Sequence, residues 1–280
     1  MSISVNLLKE HVSYSEVKVW KECSWRHKLL YLDKIEVFEE SPHLYYGSIV
    51  HDAVEHFLNT KELKLQEMEE NLKKEWDRVG FDGIWREEQE KKNKNYKHIA
   101  FEKWLLWAKN SINALPKWMD ENFPLWETVS AEELLYEEMN ELPLKFKGYI
   151  DCIIKIPQKT EGKWKYYILD WKTASARGWD WEKQQDFLTH MQLLLYKNFW
   201  MFKNNLTSRD VQCAFVLLKK VDKIEKVCQM ISISSGPKSM EEAMKVVRSM
   251  IKSITKVNPT YLKNKTSCQW CPFFNTEHCK

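Results

Sequence analysis

The chain has 280 residues, of which 44% are apolar and 30% charged, so it can bury a substantial core as one elaborated domain or two small ones. Its 43 Lys and Arg stand against 40 Asp and Glu, and the resulting net charge of +3 is too small to diagnose a nucleic-acid binder, though an electropositive groove can coexist with acidic patches elsewhere. Met1 to Lys18 lacks the apolar core of a leader and no apolar run is long enough to span a bilayer, which makes a cytoplasmic location the expectation.

In chain order, Ser13 or Ser15 is suited to cap a helix running towards Leu32, with Val17, Trp20, His27 and Tyr31 along one side and Cys23 inside it. Lys18, Lys21, Arg26 and Lys28 give that helix a basic face, either solvated or touching phosphate. Gly47-Ser-Ile-Val-His51-Asp-Ala-Val-Glu55 reads as a helix whose spacing lets His51 face inward. Lys61 to Glu75 is charged and helical in pattern, Gly80 to Gly83 marks a turn, and Tyr96 to Met119 is an aromatic-rich helix interrupted by Pro116. Together these form a helical insertion over roughly residues 60–130. Its Trp104, Trp107 and Trp118 suit core packing first and base stacking second.

Strand patterns follow at Glu132–Met139, Leu144–Ile156 and Trp164–Trp171, with a polar turn at Lys159–Lys163. Asp151 and Asp170 fall on successive strands, and Lys172 projects to the same face as Asp170 because strand side chains alternate with a period of two. Two acids and an ammonium brought together suit Mg²⁺ or Mn²⁺, hard ions that take oxygen ligands and keep positions open for phosphate and water. A long helix is expected from Trp181 to Phe202, with Gln192 and Tyr196 four residues apart on one face. Strands near Val211–Leu218 and Lys226–Ser234 and a helix over Met240–Ile254 complete an α/β arrangement around a mixed central sheet.

Of seven cysteines, Cys152, Cys213 and Cys228 sit in apolar strands as packing residues. Cys268-Gln-Trp-Cys271-Pro and Cys279 form a compact thiolate group that needs a fourth ligand to close a tetrahedral site. Zinc is one occupant such a group would take, and His27 or His278 would ease that chemistry. Reduced, unligated thiols are the remaining reading.

Asp151 followed by Asp170-Trp-Lys172 resembles the paired-acid and lysine signature of the PD-(D/E)XK nuclease superfamily. Gln192-Leu-Leu-Leu-Tyr196 resembles the glutamine-to-tyrosine helix of its RecB branch, and Gly47 to His51 resembles the glycine-to-histidine element of that branch. Ser15 to Cys23 is similar to the first helix of its iron-sulfur members, with Ser24 where many relatives have proline. The resemblance implies a restriction-endonuclease-like α/β core, with residues 1–59 giving the N-terminal helices, 60–130 the helical insertion, 131–257 the nuclease core and 258–280 the cysteine tail. It further implies that His51, Asp151, Asp170 and the Trp171 carbonyl hold Mg²⁺ or Mn²⁺, with Glu137 as an outer ligand. Lys172, Gln192 and Tyr196 would serve the reaction. Cys23, Cys268, Cys271 and Cys279 would hold a [4Fe-4S] cluster joining the two chain ends, although the seven residues between Cys271 and Cys279 exceed the usual spacing. The implied activity is that of a DNA exonuclease in repair, recombination, phage DNA metabolism or CRISPR adaptation, with DNA that is single-stranded or has single-stranded ends, and a protein in a recombination, repair or CRISPR complex, as partners and no membrane. A structure-selective endonuclease and a catalytically silent DNA-binding subunit are the alternatives.

Overall fold

Alternation of large apolar residues through residues 144–174 gives the two central strands of the molecule, β3 (Lys145–Pro157) and β4 (Trp164–Ala174), which pair antiparallel from Cys152↔Leu169 to Pro157↔Trp164. Ile153 and Ile154, like Ile168 and Leu169, are consecutive and all fully buried, because helices cover both faces of the sheet and leave neither side of a strand in water. The computed structural model describes residues 9–37, 39–140 and 142–280. Residues 1–8, part of the stretch read as lacking a leader's core, lie outside the described residues.

Beyond β4 the sheet continues with β5 (Val211–Lys219), parallel to it, and β6 (Cys228–Ser232), antiparallel to β5. On the other edge of β3 lies β2 (Glu127–Glu137), antiparallel, with a register shift between Thr128 and Ser130. A three-residue strand, β1 (His11–Ser13), runs parallel to the first residues of β3 and is too short to show a period in the sequence. The result is a mixed six-stranded sheet, as expected.

Ser13 caps α1 (Tyr14–Glu22), accepting the Glu16 N–H, but the helix ends sooner than its sequence suggests. Cys23 is extended at φ −160° and ψ 106°, and its sulfur accepts the Arg26 N–H to start α2 (Ser24–His27), which passes into a wider turn at Lys28–Leu32. Cys23 therefore sits at a break and not within a helix. Then come α3 (Pro42–Thr60), α4 (Leu65–Val79), closed by Gly80 at φ 71°, α5 (Ile84–Lys92) and α6 (Phe101–Asn122). Pro116 does not interrupt α6, where buried Ile112, Leu115 and Met119 hold the helix against its neighbours on both sides of the proline. Trp104 is buried, and Trp107 and Trp118 pack against the same core.

The long helix expected after β4 is two: α7 (Trp181–Gln185) and α8 (Phe187–Lys203). Asp186 breaks it by capping, with its carboxylate accepting the N–H groups of Leu188 and Thr189 and the Thr189 hydroxyl at 3.1, 2.9 and 2.6 Å. The last helix is α9 (Pro237–Ile254). One core lies between the sheet and α1, α8 and α9; a second lies between its other face and α3, α4 and α6. Among the described residues no helix is long and apolar enough to cross a membrane.

α8 is fastened from behind by Lys197, 2% exposed, whose ammonium donates to the carbonyls of Ser208 at 3.0 Å and Ser235 at 2.6 Å. Burial lowers the pKa of this lysine, and the three oxygens around it compensate in part for the lost water.

Candidate active site

One edge of β3 changes partner part-way along. Ser13 of β1 pairs with Lys147 and Leu169 of β4 pairs with Cys152, so residues 148–151 fall between the two ladders. There Asp151 turns its carboxylate across the gap and Oδ2 accepts the Trp171 N–H at 2.9 Å. A side chain thus stands where a backbone carbonyl would, and β3 and β4 part at this point.

Asp170, one residue earlier on β4, is 1% exposed, and neither of its oxygens has a hydrogen-bond partner among the described residues. The Lys172 ammonium lies 2.6 Å from Oδ2, a charge contact whose angles are not those of a hydrogen bond. From α3, His51 brings Nδ1 to 3.8 Å from Asp151 Oδ2. The four side chains named from the sequence therefore meet, together with the Trp171 backbone.

Their fields are coupled. Burial first and the Asp170 charge second push the Asp151 carboxyl well above its ordinary range, against the pull of Lys172 and the Trp171 N–H. Burial also works against the Lys172 charge, yet Asp170 and Asp151 outweigh it and raise its pKa, so the ammonium stays charged at neutral pH. His51 goes the other way: burial and Lys172 lower it, opposed by Asp170 and the Trp171 carbonyl, and the imidazole is neutral. Two interacting carboxylates, one buried and one partly so, hold full charge together only with a cation beside them.

Gln192 and Tyr196 line the same split from α8, with Gln192 Nε2 donating to the Tyr196 hydroxyl at 3.3 Å. A β-carbon on Gly148 would meet Tyr196 Cε1 at 2.7 Å, so only glycine lets this ring lie against β3. Burial raises the Tyr196 pKa, and the Gln192 amide and the Tyr149 N–H oppose it, so the phenol keeps its proton.

Three acids missed by the sequence reading stand nearby. Ala131 pairs with Cys152 and Glu133 with Ile150, which sets Glu132 opposite Asp151 in the left-handed conformation, φ 53°. Burial, then Glu55, Asp52 and Asp170, raise its pKa. Burial also raises that of Asp52. Glu137, the acid expected to serve as an outer ligand, instead lies opposite Phe146, five residues along β3 from Asp151, with Lys203 at 3.9 Å. Alternation along β2 cannot distinguish these acids, because the positive φ that aims Glu132 has no sequence signature in a non-glycine residue.

The profile of the PD-(D/E)XK nuclease superfamily matches residues 11–276. The chain belongs to this superfamily. Among solved structures, the chain is similar to a "putative exonuclease" from Eubacterium rectale at a TM-score of 0.54 and 14% identity, over 97% of this chain and 92% of that one. Among curated proteins, none matches the chain.

PD-(D/E)XK nucleases typically use divalent metal ions, and the donors fit one: Asp170 is buried with oxygens that accept no hydrogen bond among the described residues, Asp151 is held high by burial and the Asp170 charge, and the His51 imidazole is kept neutral. Among the described residues no three His, Cys, Asp or Glu side chains already stand as a ligand set, so the fit rests on donor chemistry.

Away from the split, Cys23, Cys268, Cys271 and Cys279 line one recess. The tail is tied to the first helices through backbone carbonyls: Trp25 N–H donates to that of Leu262 at 3.1 Å, Asn264 Nδ2 to that of Glu22 at 2.7 Å, and Trp25 Nε1 to that of His278 at 3.0 Å. Cys23 Sγ accepts N–H groups from Arg26 and Asn264 at 3.4 and 3.5 Å and donates to the Leu262 carbonyl at 3.7 Å. The other cysteines are packing residues as expected, although Cys228 is only partly buried.

Proposed function

We propose that the chain is a divalent-metal-dependent deoxyribonuclease of the RecB type that degrades DNA from its ends. The observation that carries this reading is buried Asp170 beside partly buried Asp151, facing Lys172 where the sheet splits. His51, Asp151, Asp170 and the Trp171 carbonyl would hold Mg²⁺ or Mn²⁺, which when bound supplies Lewis acidity and lowers the pKa of water. Glu132 is the acid suited to extend that set.

Hydrolysis forms a bond from a water oxygen to phosphorus, breaks the bond to the leaving sugar oxygen, and leaves that oxygen protonated. Lys172 holds the attacking water or a phosphate oxygen with its ammonium, which its two acid neighbours keep charged. Asp151 and Asp170 are fixed by strand backbone, so the reacting groups need little rearrangement. Gln192 and Tyr196 position the substrate strand from α8, which Lys197 prevents from sliding.

The four cysteines are proposed to hold one [4Fe-4S] cluster that fastens the first helices to the tail, a structural role remote from the reaction. Iron and sulfide in anaerobically purified protein support it; stoichiometric zinc without sulfide overturns it. The setting proposed is cytoplasmic, within a repair, recombination, phage or CRISPR complex.

The decisive experiment is cleavage of end-labelled linear and circular DNA, single- and double-stranded, with Mg²⁺ and with Mn²⁺. Linear DNA should shorten from its ends while circles survive. Cut circles would make the protein an endonuclease, and no cleavage under any condition would make it a silent DNA-binding subunit.

A further inference from the structure

Lys220 follows the last residue of β5, and its N–H bonds the carbonyl of Ala174, the end of the strand that carries Asp170 and Lys172. Its ammonium lies over two aromatic faces, 5.2 Å from the Tyr46 centroid and 5.1 Å from that of Trp104. The Tyr46 and Trp104 rings are themselves packed edge to face at 5.3 Å. At 3.0 Å from the ammonium is His43 Nδ1. Because an ammonium only donates, Nδ1 is the acceptor and the ring's remaining proton sits on Nε2.

No carboxylate among the described residues lies within ion-pair distance of Lys220. Asp222, the acid two residues on, is taken up by Lys103 at 2.6 Å and by Trp107 Nε1 at 3.1 Å. This partly buried ammonium has π-faces and a neutral imidazole around it, which leave its charge uncompensated. A partly desolvated ammonium of this kind is suited to bind an anion.

We propose that Lys220, oriented by His43, forms a subsite for a backbone phosphate of the substrate strand, a few nucleotides from the phosphate being cut. This rests on the nuclease reading of the β3–β4 split. His43 and His51 are both on α3, eight residues apart, or about 12 Å at ~1.5 Å per residue. A duplex strand carries one phosphate per ~3.4 Å of axis, so the interval corresponds to about three nucleotides, and fewer when the strand is stretched. The ammonium keeps two protons beyond the one it gives to His43 Nδ1 and can offer them to a phosphate, while His43 fixes its direction and the aromatic walls hold it without competing as strong acceptors. Burial lowers Lys220 to about 8, and burial with the Lys220 charge lowers His43 to about 4; an anion beside the ammonium acts against both shifts.

The test is fluorescence-anisotropy binding of a labelled 12-nucleotide single strand without added divalent metal, across a salt series. Lys220→Gln should weaken binding about tenfold, as loss of one charge-assisted contact does. It should also reduce the slope of log affinity against log salt by about one. Lys220→Arg should keep the slope, and His43→Gln should weaken binding less than Lys220→Gln. In cleavage assays Lys220→Gln should raise KM with kcat little changed. Wild-type affinity and slope in Lys220→Gln overturn the subsite. So does equal weakening in the Arg and Gln variants with equally lowered melting, which would make Lys220 a packing residue. Lys220→Met, with an apolar stem for Tyr46 and Trp104, serves the same comparison should the glutamine variant not fold. A wild type that binds through Lys220 but cuts nothing sinks the nuclease reading alone; one that cuts with Lys220 irrelevant sinks the subsite alone.

Discussion

The sheet split and the cysteine recess each join segments far apart in sequence, and they are held in opposite ways. Around the split, β3 and β4 are packed between two apolar cores, so unfavourable charge is placed on a firmly packed frame. Around the recess, Leu29 and Phe273 are the buried apolar residues, and a few hydrogen bonds to the carbonyls of Glu22, Leu262 and His278 do the joining. Chemistry is therefore separable from folding at the first place and inseparable from it at the second.

The largest effect expected of a single change tests the first half of that contrast. Lys172→Ala should lower the cleavage rate by ~10²–10³ while the protein stays folded and binds DNA almost normally, since one electrostatic group is lost and several contacts remain. Wild-type cleavage by folded Lys172→Ala would reduce Lys172 to a structural cation. Gln192→Ala and Tyr196→Phe should fall between it and the wild type. Next, Gly148→Ala forces a β-carbon to within 2.7 Å of Tyr196 Cε1 and should cost about 1–3 kcal/mol, read by chemical denaturation. An unchanged denaturation midpoint would show that the ring moves freely, and that the frame is looser than its packing implies.

A smaller, local effect is expected at the recess. Cys268→Ser should raise proteolytic cutting between residues 255 and 267 about tenfold, an opening shift of about 1.4 kcal/mol, while core unfolding moves by only a few degrees. If the core midpoint falls as far as in Gly148→Ala, the tail is part of the core after all. The smallest effect concerns Lys220, whose folded pKa of about 8 lies below its ordinary 10.5. A depressed base contributes stability that is present above 10.5 and lost as the pH falls through about 8. Lys220→Met should abolish that part of the stability profile between pH 8 and 10.5, measured by urea unfolding against pH. A profile identical to wild type would mean that the ammonium is better solvated than its aromatic walls suggest.

What was legible in the sequence follows the same division. Asp151, Asp170 and Lys172 could be set on adjacent strands because alternation is local, and their meeting needed only the pairing of two neighbouring strands. The break at Cys23 was not legible, because an extended residue there is stabilised by Leu262 and Asn264, about 240 residues away in sequence. β1 was missed for the same reason: three residues carry no period, and only β3 makes them a strand. The break before α8 is different. Asp186 with Thr189 three residues on is a local capping signal, and the apolar run around it outweighed it in the reading.

Glu132 has a consequence for anyone who improves this protein by selection. A non-glycine residue in the left-handed conformation costs about 1–2 kcal/mol, and here it falls in the middle of a strand. Glycine at that position would relieve the backbone and remove one acid from a crowded group. A library screened for heat resistance alone should therefore enrich Glu132→Gly, and one screened for DNA cleavage should reject it, so the two screens pull one residue in opposite directions.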